Sequence, residues 1–208
     1  MNIILEEHKL WLDSSGEQGK RADLRGVNLS EAVLIKADLT TANLRRANLI
    51  GANLTRANLN GANLIEADLT RANLNGADLT RANLRGADLR GASLIGAELR
   101  GANLIGAELR GANLNGADLT RADLREANLR GANLNGAKLN FIKGKDILTF
   151  CYGQHTAYFV DNIMTIGCES HSIDHWEDNY MSIGKKAGYT EANIECYGDF
   201  IQICRRFK

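Results

Sequence analysis

The chain has 208 residues, long enough for one large domain or two small ones. Its 25 Lys and Arg balance 25 Asp and Glu, so no global charge argues for nucleic acid or an anionic membrane as partner. No apolar run reaches the length of about 18 residues that a membrane-spanning helix needs.

The first stretch, MNIILEEHKLWLD, carries acids and lacks a small-residue cleavage site, so it does not read as a secretory signal. A cytoplasmic location is the matching expectation. The four cysteines, Cys151, Cys168, Cys196 and Cys204, are then expected as thiols. Residues 2–13 fit an amphipathic helix, with Ile4, Leu5, His8 and Leu12 near one side and Trp11 available to cover the start of the neighbouring segment. Asp13, Ser14, Ser15 and Gly16 end it, and residues 1–20 read as a capping helix and linker.

From residue 21 the chain repeats itself. Leucine stands at every fifth position from Leu24 to Leu139, 24 leucines without a gap. Alanine precedes each leucine by two places from Ala22 to Ala137, with Val27 the sole exception. Asn or Asp usually stands just before the leucine, and mostly Gly, Arg or Glu two after it.

Composition favours helix, because Ala, Leu, Arg and Glu are strong helix formers. The period rejects it. At about 100° per residue, successive leucines would step about 140° around a helix and point in different directions. A heptad fails for the same reason. A flat strand fails too, since an odd period flips leucine between faces.

A chain that bends once per five residues meets the requirement. Each pentad is then a short strand-like side and a corner, with leucine and the alanine two before it pointing inward. Four sides close a square, so 24 pentads over residues 21–140 give six coils of a solenoid. At a strand spacing of about 4.8 Å the rod is roughly 29 Å long. Gly at the corner tolerates unusual backbone angles, and Asn does so next best. Burying each leucine contributes about 1.5–3 kcal/mol.

The motif A-[DN]-L-x-x, repeated through residues 21–140, resembles the pentapeptide-repeat family. That resemblance implies a mainly β fold, a right-handed quadrilateral β-helix. The flanks, EEHKLWL before the repeats and IGCESHSIDHWEDNY after them, are similar to those of bacterial and phage-borne members.

The chain changes character at Phe141, the first aromatic since Trp11. DILTF, TAYFV and NIMTIGC read as strands, with a hairpin turn at VDN between the last two. Ser172 opens a helix as N-cap, and Gly188 stops it. Thr190 caps a second helix, on which Ile194, Tyr197, Ile201 and Cys204 recur at helical spacing. Residues 141–208 therefore read as a small α+β cap packed on the last coil.

Candidate chemistry is sparse. Residues 21–140 contain no His, Cys or aromatic residue, so catalysis on the rod walls is not expected. His and Cys gather at Cys151, His155, Cys168, His171 and His175. Cys168 and His171 have a C-x2-H spacing, which admits zinc, but the second ligand pair of a strong zinc signature is missing. The plainer reading is a buried strand end at Cys168 and histidines at a helix start.

Positions 20 apart should stack on one wall. Asn43, Asn63, Asn83 and Asn103 are expected to bond amide to amide between coils. Arg90, Arg110 and Arg130 form a row flanked by Asp88, Glu108 and Asn128, either an anion groove or a solvated wall whose acids offset the arginines. Asp38, Asn58, Asp78, Glu98, Asp118 and Lys138 form a mildly acidic edge. The row Thr40, Asn60, Thr80, Arg100, Thr120 is too interrupted for an ice-binding face.

Together these features favour a non-enzymatic scaffold or interaction protein with a protein partner, no catalytic, cofactor or metal residues, and no nucleic-acid or membrane partner. Three alternatives remain: a zinc-binding regulatory cap, nucleic-acid binding through the arginine walls, and a DNA mimic that binds gyrase, the activity the resemblance implies through the quinolone-resistance members. The mimic needs a strongly negative rod. Residues 21–140 hold 16 Lys and Arg against 12 Asp and Glu, an excess of four positive charges.

Overall fold

A computed structural model describes residues 2–139, 142–143, 148–152, 155–160, 163–166 and 169–205. The chain divides into two compact units, Met1–Gly144 and Lys145–Lys208.

The first unit opens with helix α1, Asn2–Asp13. The buried side of α1 centres on His8, which is fully enclosed, while Leu5, Trp11 and Leu12 are half-buried. Ile4, expected on that side, is exposed. The helix stops because Ser15 and Gly16 take positive φ, 56° and 94°. Ser14 Oγ then accepts the Gln18 N–H at 2.8 Å and turns the chain back. The Lys20 N–H donates to the Glu7 carbonyl at 3.1 Å.

The repeats then stack in parallel, each residue before a leucine bridged to the one 20 positions on, from Asp23–Asn43 to Asp123–Lys143. Four pentads therefore make one turn. Each side is a single bridge and not a longer strand. Every leucine of the repeat from Leu24 to Leu139 is buried, and each alanine from Ala42 to Ala122 is at most 1% exposed. Alanine is needed there because a larger side chain two places from leucine would overfill the layer.

One pentad shows why the period is five. The Ala82 N–H bonds Leu79 O within the corner, at 3.0 Å. The Asn83 N–H reaches back one coil to Ala62 O at 2.9 Å. The Leu84 and Gly86 N–H groups reach forward to Asn103 O and Ile105 O, at 2.7 and 2.9 Å. The fifth donor, the Arg85 N–H, bonds the Asn83 side-chain oxygen at 3.3 Å. All five donors are thereby satisfied, as a packed backbone requires.

The Asn and Asp side chains are thus committed locally, in Asx turns. This corrects the expected amide ladder between coils: Asn43, Asn63, Asn83 and Asn103 each direct Oδ1 to the N–H two residues on. The corner falls two residues after leucine, with φ between 56° and 68° from Gly26 to Gly136. Glycine fits there freely, yet Arg, Glu, Lys and Thr adopt the same angle at ten corners. The inter-coil bonds hold them in a region that costs an L-residue about 1–2 kcal/mol.

The second unit contains a four-stranded antiparallel sheet in sequential order: β1 Leu148–Tyr152, β2 His155–Val160, β3 Ile163–Ile166 and β4 Glu169–Ser172. Val160 pairs with Ile163, which matches a two-residue hairpin. The turn residues Asp161 and Asn162 themselves lie outside the described residues. The short polar β4, ESHS, carries no apolar alternation and is not among the strands expected from the sequence.

Helix α2, Ile173–Lys186, begins at Ser172, whose side chain accepts the His175 N–H. It ends before Gly188, at φ +74°, and α3 follows at Glu191–Arg205. Ile194, Tyr197, Ile201 and Cys204 are all buried, and most of them join Phe159, Ile173, Trp176 and Phe200 in one cluster. Two glycines allow the helices to approach. A Cβ on Gly184 would meet Ile194 Cγ1 at 2.7 Å, and one on Gly198 would meet the Tyr180 ring at 2.8 Å.

Candidate functional surface

The interior of the rod is occupied by its leucine and alanine layers, so its chemistry lies on the outer walls. Each wall has three outward columns: the polar position before leucine, the position after it, and the corner after that.

On one wall the column after leucine reads Ser30, Ile50, Thr70, Arg90, Arg110, Arg130, and the corner column reads Glu31, Gly51, Arg71, Gly91, Gly111, Gly131. The adjoining column supplies Asp68, Asp88 and Glu108, which pair closely with only some of these cations. Arg90 Nε donates to both carboxylate oxygens of Asp88, at 2.8 and 2.9 Å. That hydrogen bond holds the Asp88 carboxyl below its ordinary range and raises the Arg90 guanidinium above its own. Glu108 is engaged elsewhere, its Oε2 accepting Asn128 Nδ2 at 2.9 Å. Among the described residues the guanidiniums of Arg71, Arg110 and Arg130 have no acidic partner within 4.0 Å.

A groove of about 370 Å³ runs along this wall, lined by Ile50, Thr70, Arg71, Arg90, Gly91 and Arg110. Gly91 opens it, since any larger corner side chain would stand under the Arg71 stem, whose Cγ lies 3.8 Å from the position of a Cβ there.

The acidic edge is interrupted by cations. Arg100 pairs with Glu98 and reaches Asp118 at 3.6 Å, and Lys138 lies 3.9 Å from Asp118. Elsewhere Arg25 and Arg125 each pair with the Asp two residues before, Asp23 and Asp123, whose carboxyls are held low by those hydrogen bonds. Such exposed pairs add little stability; they do cancel charge.

In the second unit His171 lies in β4 and His175 sits in the first turn of α2. Their rings stack at 4.2 Å between centroids and 29° between planes, with Trp176 edge-on to His171 at 5.5 Å. Stacking brings ring faces together, whereas a metal needs the in-plane nitrogen lone pairs to converge. Among the described residues no group of three His, Cys, Asp or Glu is placed to hold a metal. Cys168 lies outside the described residues, as do the side chains of Cys151 and His155.

Two features escape the sequence pattern. By spacing, His8 is one apolar-side residue among four, and only the packing makes it the buried centre. The groove is half legible in the arginine row, but Ile50 and Arg71 join it only once the columns are laid side by side.

The family of pentapeptide repeats matches the chain in overlapping segments, 22–61, 47–86, 82–121 and 102–140. No curated protein matches the chain. Among solved structures it is similar to a pentapeptide repeat protein from the Arabidopsis thaliana thylakoid lumen, with 39% identity over 51% of this chain and 71% of that one, TM-score 0.39. It is also similar to HetL, a pentapeptide repeat protein involved in heterocyst differentiation regulation in the cyanobacterium Nostoc, with 37% identity over 60% and 73% of the chains, TM-score 0.25. A third likeness is to QnrB1, a plasmid-mediated fluoroquinolone resistance protein, with 22% identity over 64% and 67%, TM-score 0.44.

Proposed function

Because the chain belongs to the pentapeptide-repeat family, we propose that it is a non-enzymatic scaffold that presents charged walls to a protein partner. The carrying observation is the division of labour in each pentad: two positions fill the core, and three face out in fixed columns, one of them also closing the backbone. Such a surface is rigid, so a partner binds it without ordering the walls first. We take the rod as a right-handed solenoid of six coils over residues 21–140, with residues 1–20 and 141–208 as its end regions, acting in the cytoplasm. No residue is assigned a catalytic, cofactor-binding or metal-binding role.

Gyrase binding by DNA mimicry is the competing use of the same scaffold. It needs a continuous acidic wall, whereas the column from Asp38 to Lys138 is crossed by Arg100 and ends on Lys138, and the run Asp68, Asp88, Glu108 is paired at Asp88 by Arg90.

The test is affinity capture from the native host with the full chain and with a wall variant, Arg85→Glu/Arg110→Glu, in which only exposed charge changes. One partner retained by the full chain and lost with the variant supports the proposal. A partner retained equally by both removes the walls from it. Protection of purified gyrase by micromolar protein in a supercoiling assay would replace it with the competitor.

A further inference from the structure

The wall that carries the groove differs from a generic charged surface in three ways. First, its column is graded. It runs from Ile50, 36% exposed, through Thr70 to Arg90 and Arg110. Three coil steps separate the ends, about 14 Å at ordinary strand spacing. Second, the guanidiniums beside the groove differ in how closely they are paired, although Asp68, Asp88 and Glu108 stack in the adjoining column. Asp88 is consumed by Arg90 and Glu108 is bonded to Asn128. Among the described residues this leaves Arg71 and Arg110 without an acid within 4.0 Å. Third, the corner column beside the arginines is glycine at 91, 111 and 131, so no side chain fills the space next to the guanidiniums. Arg71 projects from that same column at the lower end of the groove.

The geometry points to this groove as a binding site for a small organic phosphate or diphosphate, with the anion held between Arg71 and Arg110 and the organic part lying toward Ile50. Guanidinium forks match phosphate oxygens and form charge-assisted bonds stronger than neutral ones. The groove volume lies within the range of small-molecule sites, about 300–1,000 Å³. The apolar lip at Ile50 gives the site a direction, and it distinguishes an organic phosphate from the inorganic ion.

The experiment is isothermal titration of the full chain with two probes, inorganic pyrophosphate and ADP, at low ionic strength where charge contacts are least screened. ADP is expected to bind at one site, and more tightly than pyrophosphate. Arg71→Gln and Arg110→Gln should each weaken ADP by about tenfold or more, the usual effect of removing one charged hydrogen bond. Ile50→Asn should weaken ADP and leave pyrophosphate unchanged. Arg125→Gln, at a guanidinium already engaged by Asp123, should change neither. All four substitutions are at exposed positions, and unchanged circular dichroism confirms their folding. The proposal is overturned if neither probe binds at millimolar concentration. It is overturned equally if Arg125→Gln weakens ADP as much as Arg110→Gln, or if pyrophosphate binds as tightly as ADP.

Discussion

Ser93 donates its hydroxyl to Asn75 Oδ1, 2.6 Å away and one coil back. The same oxygen accepts the Ile95 N–H at 3.0 Å. In most pentads that N–H bonds the Asn or Asp of its own pentad, whereas the Ser93 hydroxyl is turned to Asn75 instead. The irregular GASLI pentad is therefore completed by its neighbour.

Asn75→Ala should remove the acceptor of that N–H and hydroxyl and lower stability by about 0.5–1.5 kcal/mol, since water reaches the exposed N–H. Ser93→Asn, which restores the local acceptor, should recover much of the loss. Urea denaturation of the two single variants and the double variant measures this. Simple additivity would show that the two residues are not coupled.

His8 Nδ1 accepts the Ala22 N–H at 3.1 Å, at the junction of α1 and the first coil. Burial depresses the imidazole pKa below 6.5, outweighing the nearby Asp38 carboxylate and Thr40 backbone, while Arg21 depresses it further. The folded protein thus favours neutral His8 and the unfolded chain takes the proton first. Its contribution is full above about pH 6.5 and is lost as the pH falls toward the folded value. Protonation also turns Nδ1 into a donor facing the Ala22 N–H. Protection of the α1 amides, corrected for intrinsic exchange, should fall in the wild type as the pH drops through the imidazole range. The same fall in His8→Leu would exclude His8 as the cause.

Leu84 is fully buried in a middle coil. Leu84→Ala is expected to cost about 2–5 kcal/mol, because rigid layers above and below cannot collapse into the space. Denaturant unfolding reads the loss directly. A cost below that of an ordinary surface substitution would show the layers to be compliant.

Two glycines separate strain from collision. At Gly96 a Cβ meets nothing within 4 Å, but φ is +63°. Gly96→Ala should therefore cost only about 1–2 kcal/mol, the left-handed backbone penalty. At Gly19 a Cβ would collide with the backbone of α1, at Glu7 O and at Trp11 N, the latter 2.8 Å away. Gly19→Ala should release α1, and limited proteolysis near residues 14–20 should accelerate for this variant only.

Cys204 is fully buried on α3, and burial pushes its thiol up to about 12. The thiolate is the reactive form. Alkylation of Cys204 in mildly alkaline buffer should be slow in the folded chain and fast in guanidinium, as mass spectrometry of the modified peptide would report. Rapid labelling of the native protein would contradict the packing of α3.

The coil can be read from the sequence because its cause is local and repeated. Leucine every fifth residue is incompatible with a helix or a strand, so the chain must turn once per pentad, and four turns bring residues 20 apart into register. The helices α2 and α3 are legible for a similar reason: Ser172, Gly188 and the 3.6-residue spacing act within one element. Hydrogen-bond partners are not legible. Asn63 and Asn83 have the same neighbours in sequence whether their amides pair between coils or turn back on their own backbone. Only the positions of the N–H groups, once the coils are stacked, select the second. The polar strand Glu169–Ser172 has no pattern of its own and exists because β3 offers an edge. Core and corner follow from the five-residue period, and the columns follow once four pentads make one turn. Which acid neutralises which arginine, where a groove opens and how deeply His8 is buried all waited on the folded chain, because each depends on distances between residues far apart in sequence.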